Sequence, residues 1–320
     1  TNNAPAAFPI GITTVTWTVT DNSGNKATCD QTVTVSDNIL PTIACPANVT
    51  ATTNTGCTAT GVALGTPVTA DNCGVASVTN NAPAAFPIGI TTVTWTVTDN
   101  SGNKATCDQT VTVSDNILPT ITCPANVTAT TNTGCTATGV ALGTPVTSDN
   151  CGVALVTNNA PAAFPLGITT VTWTVTDNSG NKATCDQTVT VSDNILPTIT
   201  CPANVTATTN TGCTATGVAL GTPVTADNCG VASVTNNAPA AFPIGITTVT
   251  WTVTDNSGNK ATCDQTVTVS DNILPTIACP ANVTATTNTG CTATGVALGT
   301  PVTADNCGVA SVTNNAPAAF

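Results

Sequence analysis

The sequence predicts an all-β chain, a tandem array of small antiparallel β-sandwich domains forming an elongated rod. Three observations predict it: a repeat of 78 residues, apolar–polar alternation inside each repeat, and cysteines at the same places in every copy. The words TNNAPAAF open at Thr1, Thr79, Thr157, Thr235 and Thr313, and the chain ends on Phe320, the counterpart of Phe8. A fixed period of this kind marks stacked structural units. The copies differ at few positions: Ala44 is Thr122 and Thr200 further on, Ala70 is Ser148, Ser77 is Leu155 and Ile88 is Leu166. Such near-identity reads as a window on a longer array.

Each strand follows from a period of two. Val15, Trp17 and Val19 share one face, and Thr14, Thr16, Thr18 and Thr20 share the other. After the turn residues Asp21–Asn25, Cys29, Gln31, Val33 and Val35 alternate with Thr28, Asp30, Thr32 and Thr34, so the two segments form a hairpin. The stretches TIACPANVTATT, CTATGVAL and VASVTN read as shorter strands punctuated by NTG, GTP and DNCG. Threonine and valine favour strand throughout, and no stretch has helical periodicity with caps. Many short strands in a unit of this length predict a sandwich. Trp17, Trp95, Trp173 and Trp251 alternate with valine on one face and are expected core anchors.

SDNILPT, with its proline ahead of the next strand, sets the boundary between units. Complete domains are expected at 38–115, 116–193 and 194–271, with the C-terminal part of a repeat at 1–37 and the N-terminal part at 272–320. The linkers hold no flexible glycine–serine tract, and strands of about ten residues give about 35–40 Å per unit.

Composition excludes much. The net charge is −12, from sixteen acidic and four basic residues, and there is no His, Glu, Arg, Tyr or Met. Acid–base and nucleophilic catalysis draw mostly on residues that are missing here, so an enzyme is not expected. Without a basic patch, nucleic acid is not an expected partner. Apolar runs stop well short of the ~20 residues that span a bilayer, so no membrane insertion is expected in this segment. Sixteen cysteines at wide, identical spacing predict disulfides in an oxidising compartment rather than zinc, which favours close pairs.

LPTIACPANVT, GTPVTADNCG, AFPIGITTVTWTVTDNSGNKATC and QTVTVSD, in that order, resemble the hyalin repeat (HYR) module. The resemblance covers every period and implies an immunoglobulin-like sandwich used in adhesion or extracellular surface architecture. In bacteria such arrays are similar to the stalks of giant Bacteroidota surface proteins, including gliding-motility adhesins exported by type IX secretion. The same module also occurs in animal extracellular proteins.

Four cysteines per unit allow three connectivities. In immunoglobulin-like sandwiches the first and last strands can lie parallel, and aligning them sets Ile43 beside Ala105, Cys45 beside Cys107 and Val49 beside Val111. The HYR pattern also couples those cysteines, so Cys45–Cys107, Cys123–Cys185 and Cys201–Cys263 are expected. That leaves Cys57 with Cys73, Cys135 with Cys151, Cys213 with Cys229 and Cys291 with Cys307, although the segment from Gly65 must double back for this to occur. The rival is a bridge between domains, Cys57 to Cys151. Cys29 and Cys279 lack their first-and-last-strand partners within these residues. Each bridge would add about 2–4 kcal/mol to a small core. A Cys45–Cys107 bridge would also carry tension past the segment from Pro46 to Thr106, making each unit a force-shielded link.

The resemblance also places the B–C loop, the F–G turn and the start of the first strand at one end. It thereby gathers Asp37, Asp71 and Asp99, then Asp115, Asp149 and Asp177, then Asp193, Asp227 and Asp255. Their hard oxygens suit Ca²⁺, although Asp-Asn before a turn is also ordinary turn chemistry. No other cofactor is expected. Ice binding by the outward threonines is disfavoured because sandwich sheets twist. Lys26 reads as a solvated side chain, and Asn48-Val49-Thr50 is a glycosylation sequon only in a eukaryotic secretory route. The expected partners are neighbouring repeats of the same chain, with surface polysaccharide or other cell-surface proteins reached through a separate tip. Repeats that bind such ligands themselves, or that space a secreted enzyme, are the alternatives.

Overall fold

The computed structural model describes residues 1–320 and contains only strands, turns and loops. The chain forms two compact units: residues 1–125, 143–160 and 171–187 make one, and residues 126–142, 161–170 and 188–320 make the other. This division cuts the 116–193 repeat. Its loop around Asn150 packs with the preceding repeat in the first unit, and its loop around Gly134 packs with the following repeat in the second.

In the first unit, residues 38–115 show the sandwich whole. One sheet holds four strands in the order Val49–Thr52, Lys104–Ser114, Gly89–Asp99 and Val75–Asn80. The first pair is parallel, with Val49 opposite Val111, and the rest are antiparallel. The register expected for the first and last strands is observed from Val49 on, whereas Ile43, expected beside Ala105, lies opposite Thr69 in the facing layer because the first strand breaks at Cys45–Asn48 and changes sheet. The facing layer is two short ladders, Thr42–Ala44 with Val68–Ala70 and Thr58–Thr60 with Ala85–Pro87. CTATGVAL is strand only at Thr58–Thr60, because Gly61 turns the chain at φ +70°.

The alternation is what builds the core. Val93, Trp95, Val111 and Val113 from the large sheet meet Ala59 and Phe86 from the small one, while the intervening threonines face outward. Burial of these side chains supplies the hydrophobic drive, about 25 cal/mol per Å² of apolar surface. One inward position of the alternation is polar: Gln109 is wholly buried. Its Oε1 accepts from Trp95 Nε1 at 3.0 Å, and its Nε2 donates to the carbonyls of Ala47 and Leu64. It thus ties the tryptophan to two loops of the facing layer.

In the second unit, residues 194–271 repeat this arrangement, with Phe242, Val249, Trp251, Val267 and Val269 in the core. Gln265 bonds Trp251, Ala203 and Leu220 in the same way. Residues 1–37 keep the hairpin Gly11–Thr20 with Lys26–Val35, and there Trp17 is 46% exposed against 7% for Trp95. No second sheet covers it.

Candidate functional site

The residues with most chemistry lie at the ends of the sandwiches, where one repeat meets the next. DNC at 149–151 supplies one side of such a junction. Asp149 Oδ2 accepts the Cys151 amide at 2.7 Å, an Asx turn that aims Asn150 at the preceding repeat. Gly152 follows at φ +91°, and a side chain there would strike Asn178, which donates to the Cys151 carbonyl. This position therefore requires glycine.

Asn150 Nδ2 donates to Gly56 O at 3.1 Å and to Asp115 Oδ1 at 3.3 Å. Asp115 is buried, and its Oδ1 also accepts from Thr53 Oγ1 at 2.8 Å and from the Ile117 amide. Asn181 Nδ2 donates to the Asp115 and Ile117 carbonyls, so the F–G turn grips the linker backbone as well. Within the second unit the pattern recurs at both junctions. Asn228 bonds Gly134 O and Asp193 Oδ1, and Asn306 bonds Gly212 O and Asp271 Oδ1.

Burial works to raise the pKa of Asp115, but hydrogen bonds from Thr53, Ile117 and Asn150 outweigh it and hold the carboxyl below the ordinary range. The same balance, with Ile195, Thr131 and Asn228 as donors, lowers Asp193.

The cysteines divide between the interior and the ends of the modules. Cys45–Cys107, Cys123–Cys185 and Cys201–Cys263 are disulfides with Cα atoms 5.7 Å apart, joining the leading segment of each module to its last strand. The remaining pairs differ from expectation. Cys135 is bonded to Cys229, not to Cys151, and Cys57–Cys73, Cys213–Cys229 and Cys291–Cys307 are likewise not formed.

The reason is topological. Cys57 follows Thr53, which is tied to Ser114 and Asp115 at the trailing end of the module. Cys73 sits against Asn100 in the turn whose Asn103 bonds Asp37 and Ile39 at the leading end. The two cysteines lie at opposite ends, so each faces a neighbouring repeat. Cys57 Sγ is 3.6 Å from the Asn150 carbonyl, and Cys151 Sγ is 3.7 Å from the Gly56 carbonyl. Cys213 makes the same contact with Asn306 and Cys307 with Gly212. Burial, then the Cys57 thiol and Asp115, push the Cys151 thiol up to about 12. Cys29 and Cys279 are free.

The acidic triplets are brought together as well. Carboxylate oxygens of Asp37, Asp71 and Asp99 lie within 4.8 Å of one another, as do those of Asp115, Asp149 and Asp177 and those of Asp193, Asp227 and Asp255. Asp99 and Asp177 are spent largely on their turns, accepting the amides of Ser101 and Asn103, and of Ser179 and Asn181. Asp37 Oδ2, Asp71 Oδ1, Asp149 Oδ1 and Asp227 Oδ1 are buried with no hydrogen-bond partner. Buried carboxylate oxygens without a partner are costly, and a hard divalent cation would satisfy them, so these residues fit calcium.

The HYR domain family matches residues 1–35, 36–113, 114–191 and 192–269. The chain belongs to the HYR domain family. Hyalin of Strongylocentrotus purpuratus is 36% identical over 189 residues, which is 55% of this chain and 16% of hyalin. The chain thus spans about a sixth of that relative. Among solved structures, protocadherin gammaB7 EC3-6 shares 12% identity over 81% of this chain and 85% of its own, with a TM-score of 0.30. Drosophila N-cadherin EC1-4 (10%, covering 83% and 85%) and mouse cadherin-23 EC22-24 (12%, covering 72% and 99%) score 0.30 and 0.31. Likenesses at that level carry no argument. The HYR matches run two residues ahead of the 38–115 division, while the last strand continues to Ser114 and the Thr53 contact includes Asp115. The disulfides of this HYR array fit an extracellular, oxidising setting.

Proposed function

We propose that this HYR array is a non-enzymatic, load-bearing stalk of an extracellular adhesin or filament. The observation that supports it best is the bridge from the leading segment to the last strand in each complete module, Cys45–Cys107 and its copies. Tension entering ahead of Cys45 and leaving after Cys107 passes through sulfur, and the core between them is not on the load path. The Asn150-type clasp then resists bending at each joint. The finer setting, a gliding-motility adhesin exported by type IX secretion and anchored at the cell surface, rests on sequence resemblance alone.

Solution scattering from the full chain tests the stalk. A rod four units long has a radius of gyration of roughly 40 Å, whereas a globule of this length has about 20 Å. The smaller value would refute it. If the repeats themselves were the binding surface, immobilised chain would capture polysaccharide or partner proteins directly, and the stalk reading expects no capture.

Calcium belongs to this reading as a stiffener of the joints. Asp37 Oδ2 with Asp71 Oδ1, and the matching oxygens of the Asp149 and Asp227 clusters, would hold it. Bound there, the ion would neutralise like charges that the fold otherwise forces together.

A further inference from the structure

We propose that Cys57–Cys151 and Cys213–Cys307 are disulfides, so that with Cys135–Cys229 each of the three junctions following residues 115, 193 and 271 is closed by a second covalent link. This rests on the array reading but not on its mechanical role. Three observations carry it. The Cys135–Cys229 bond already spans a junction, with Cα atoms 4.8 Å apart and a sequence separation of 94. Cys57 and Cys151 stand in the same relation one repeat earlier, and Cys213 and Cys307 one repeat later. In both pairs each thiol lies against the backbone carbonyl next to its partner, in the geometry given above. The Asn150 clasp, present at each of these three junctions, holds the facing loops in that register.

The reaction needs a disulfide donor such as an extracytoplasmic thiol oxidase. Cys57 is exposed and Cys151 half-buried, so the Cys57 thiolate attacks the donor disulfide first, forming a mixed disulfide and releasing one donor thiol. The Cys151 thiolate then attacks Cys57 Sγ and releases the second. Two protein thiols are oxidised, the donor disulfide is reduced to two thiols, and the two protons end on the donor sulfurs.

The consequence is a ladder rather than a string. Between Cys107 and Cys123 the backbone passes through the linker, where Ile117 and Leu118 are exposed to proteases. A cut there leaves the repeats joined, through Cys107–Cys45, the backbone to Cys57, and Cys57–Cys151.

Cleavage before aspartate tests the pairing in the full chain purified from an oxidising compartment. It releases residues 149–176, in which Cys151 is the sole cysteine and Leu155 and Leu166 distinguish the peptide from its copies. Cys151 should resist alkylation in the wild-type chain, become fully labelled in Cys57→Ser, and stay protected in Cys213→Ser. Labelling of Cys151 in the wild type, or its release by Cys135→Ser instead, would overturn the proposal. Alkylation is carried out in denaturant, where burial protects no thiol and only a disulfide does, so loss of folding in one variant does not imitate the result.

Discussion

Asn150 Nδ2 stands 3.3 Å from Asp115 Oδ1, linking the B–C loop of one repeat to the last residues of the repeat before it. The same asparagine reaches Gly56 O, so one side chain bridges two separate segments of the preceding module. Asn228→Ala, at the equivalent place, removes the side-chain donor to Gly134 O and one of the donors to Asp193, which keeps those from Thr131 and Ile195. It should cost about 1–2 kcal/mol at that junction. Hydrogen exchange at Thr131, Gly134 and neighbouring amides should speed up, while the amides of strand Gly245–Asp255 should not change.

Lower pH should loosen the same joints. The folded pKa values of Asp115 and Asp193 lie below the unfolded value of about 3.9, because the surrounding donors outweigh the opposing effect of burial. Their contribution is therefore complete above the unfolded pKa and is lost as pH falls through the folded one. Thermal melts between pH 6 and pH 2 should show this loss, and Asp193→Asn should make the curve flatter. An unchanged slope in that variant would contradict the assignment.

Gln109 holds two layers together through Trp95, Ala47 and Leu64. Gln109→Leu keeps the volume but leaves the indole N–H and two carbonyls unpaired inside the module. Destabilisation of about 3 kcal/mol is expected, measured by denaturant titration followed by tryptophan fluorescence. Gln109→Glu, which retains acceptors for Trp95 but not the two donors, should also be destabilising.

Much of this was legible in the sequence, for identifiable reasons. Alternation of valine and tryptophan with threonine specified which face of the hairpin is buried, and Trp95, Val93 and Val111 lie there. Parallel alignment of the first and last strands set Val49 opposite Val111, and with it Cys45 against Cys107. Gln109 stood on the same inward face, yet a polar side chain there signals a buried hub only once the carbonyls of Ala47 and Leu64 are seen to converge on it. The pairing of Cys135 stayed open between Cys151 and a bridge to the next domain, for a different reason. In a periodic sequence Cys151 and Cys229 are the same position one repeat apart, so spacing cannot say which of the two Cys135 meets. Only the opposite placement of the two loops on the sandwich decides.

Calcium should raise the melting temperature of the array, and a chelator should lower it. Asp149→Asn removes charge at one cluster while the turn hydrogen bond to Cys151 can persist, so it should shrink the calcium-dependent shift without unfolding the module. Melting that ignores both calcium and chelator would rule out the cation at these joints.

The most direct measurement is single-molecule pulling of the full chain under oxidising and then reducing conditions. With Cys45–Cys107 and its copies intact, each module should give only a short extension. After reduction, the segment from Pro46 to Thr106 and its counterparts join the load path and add about 200 Å per complete module. Equal extensions in the two states would contradict a load path through sulfur.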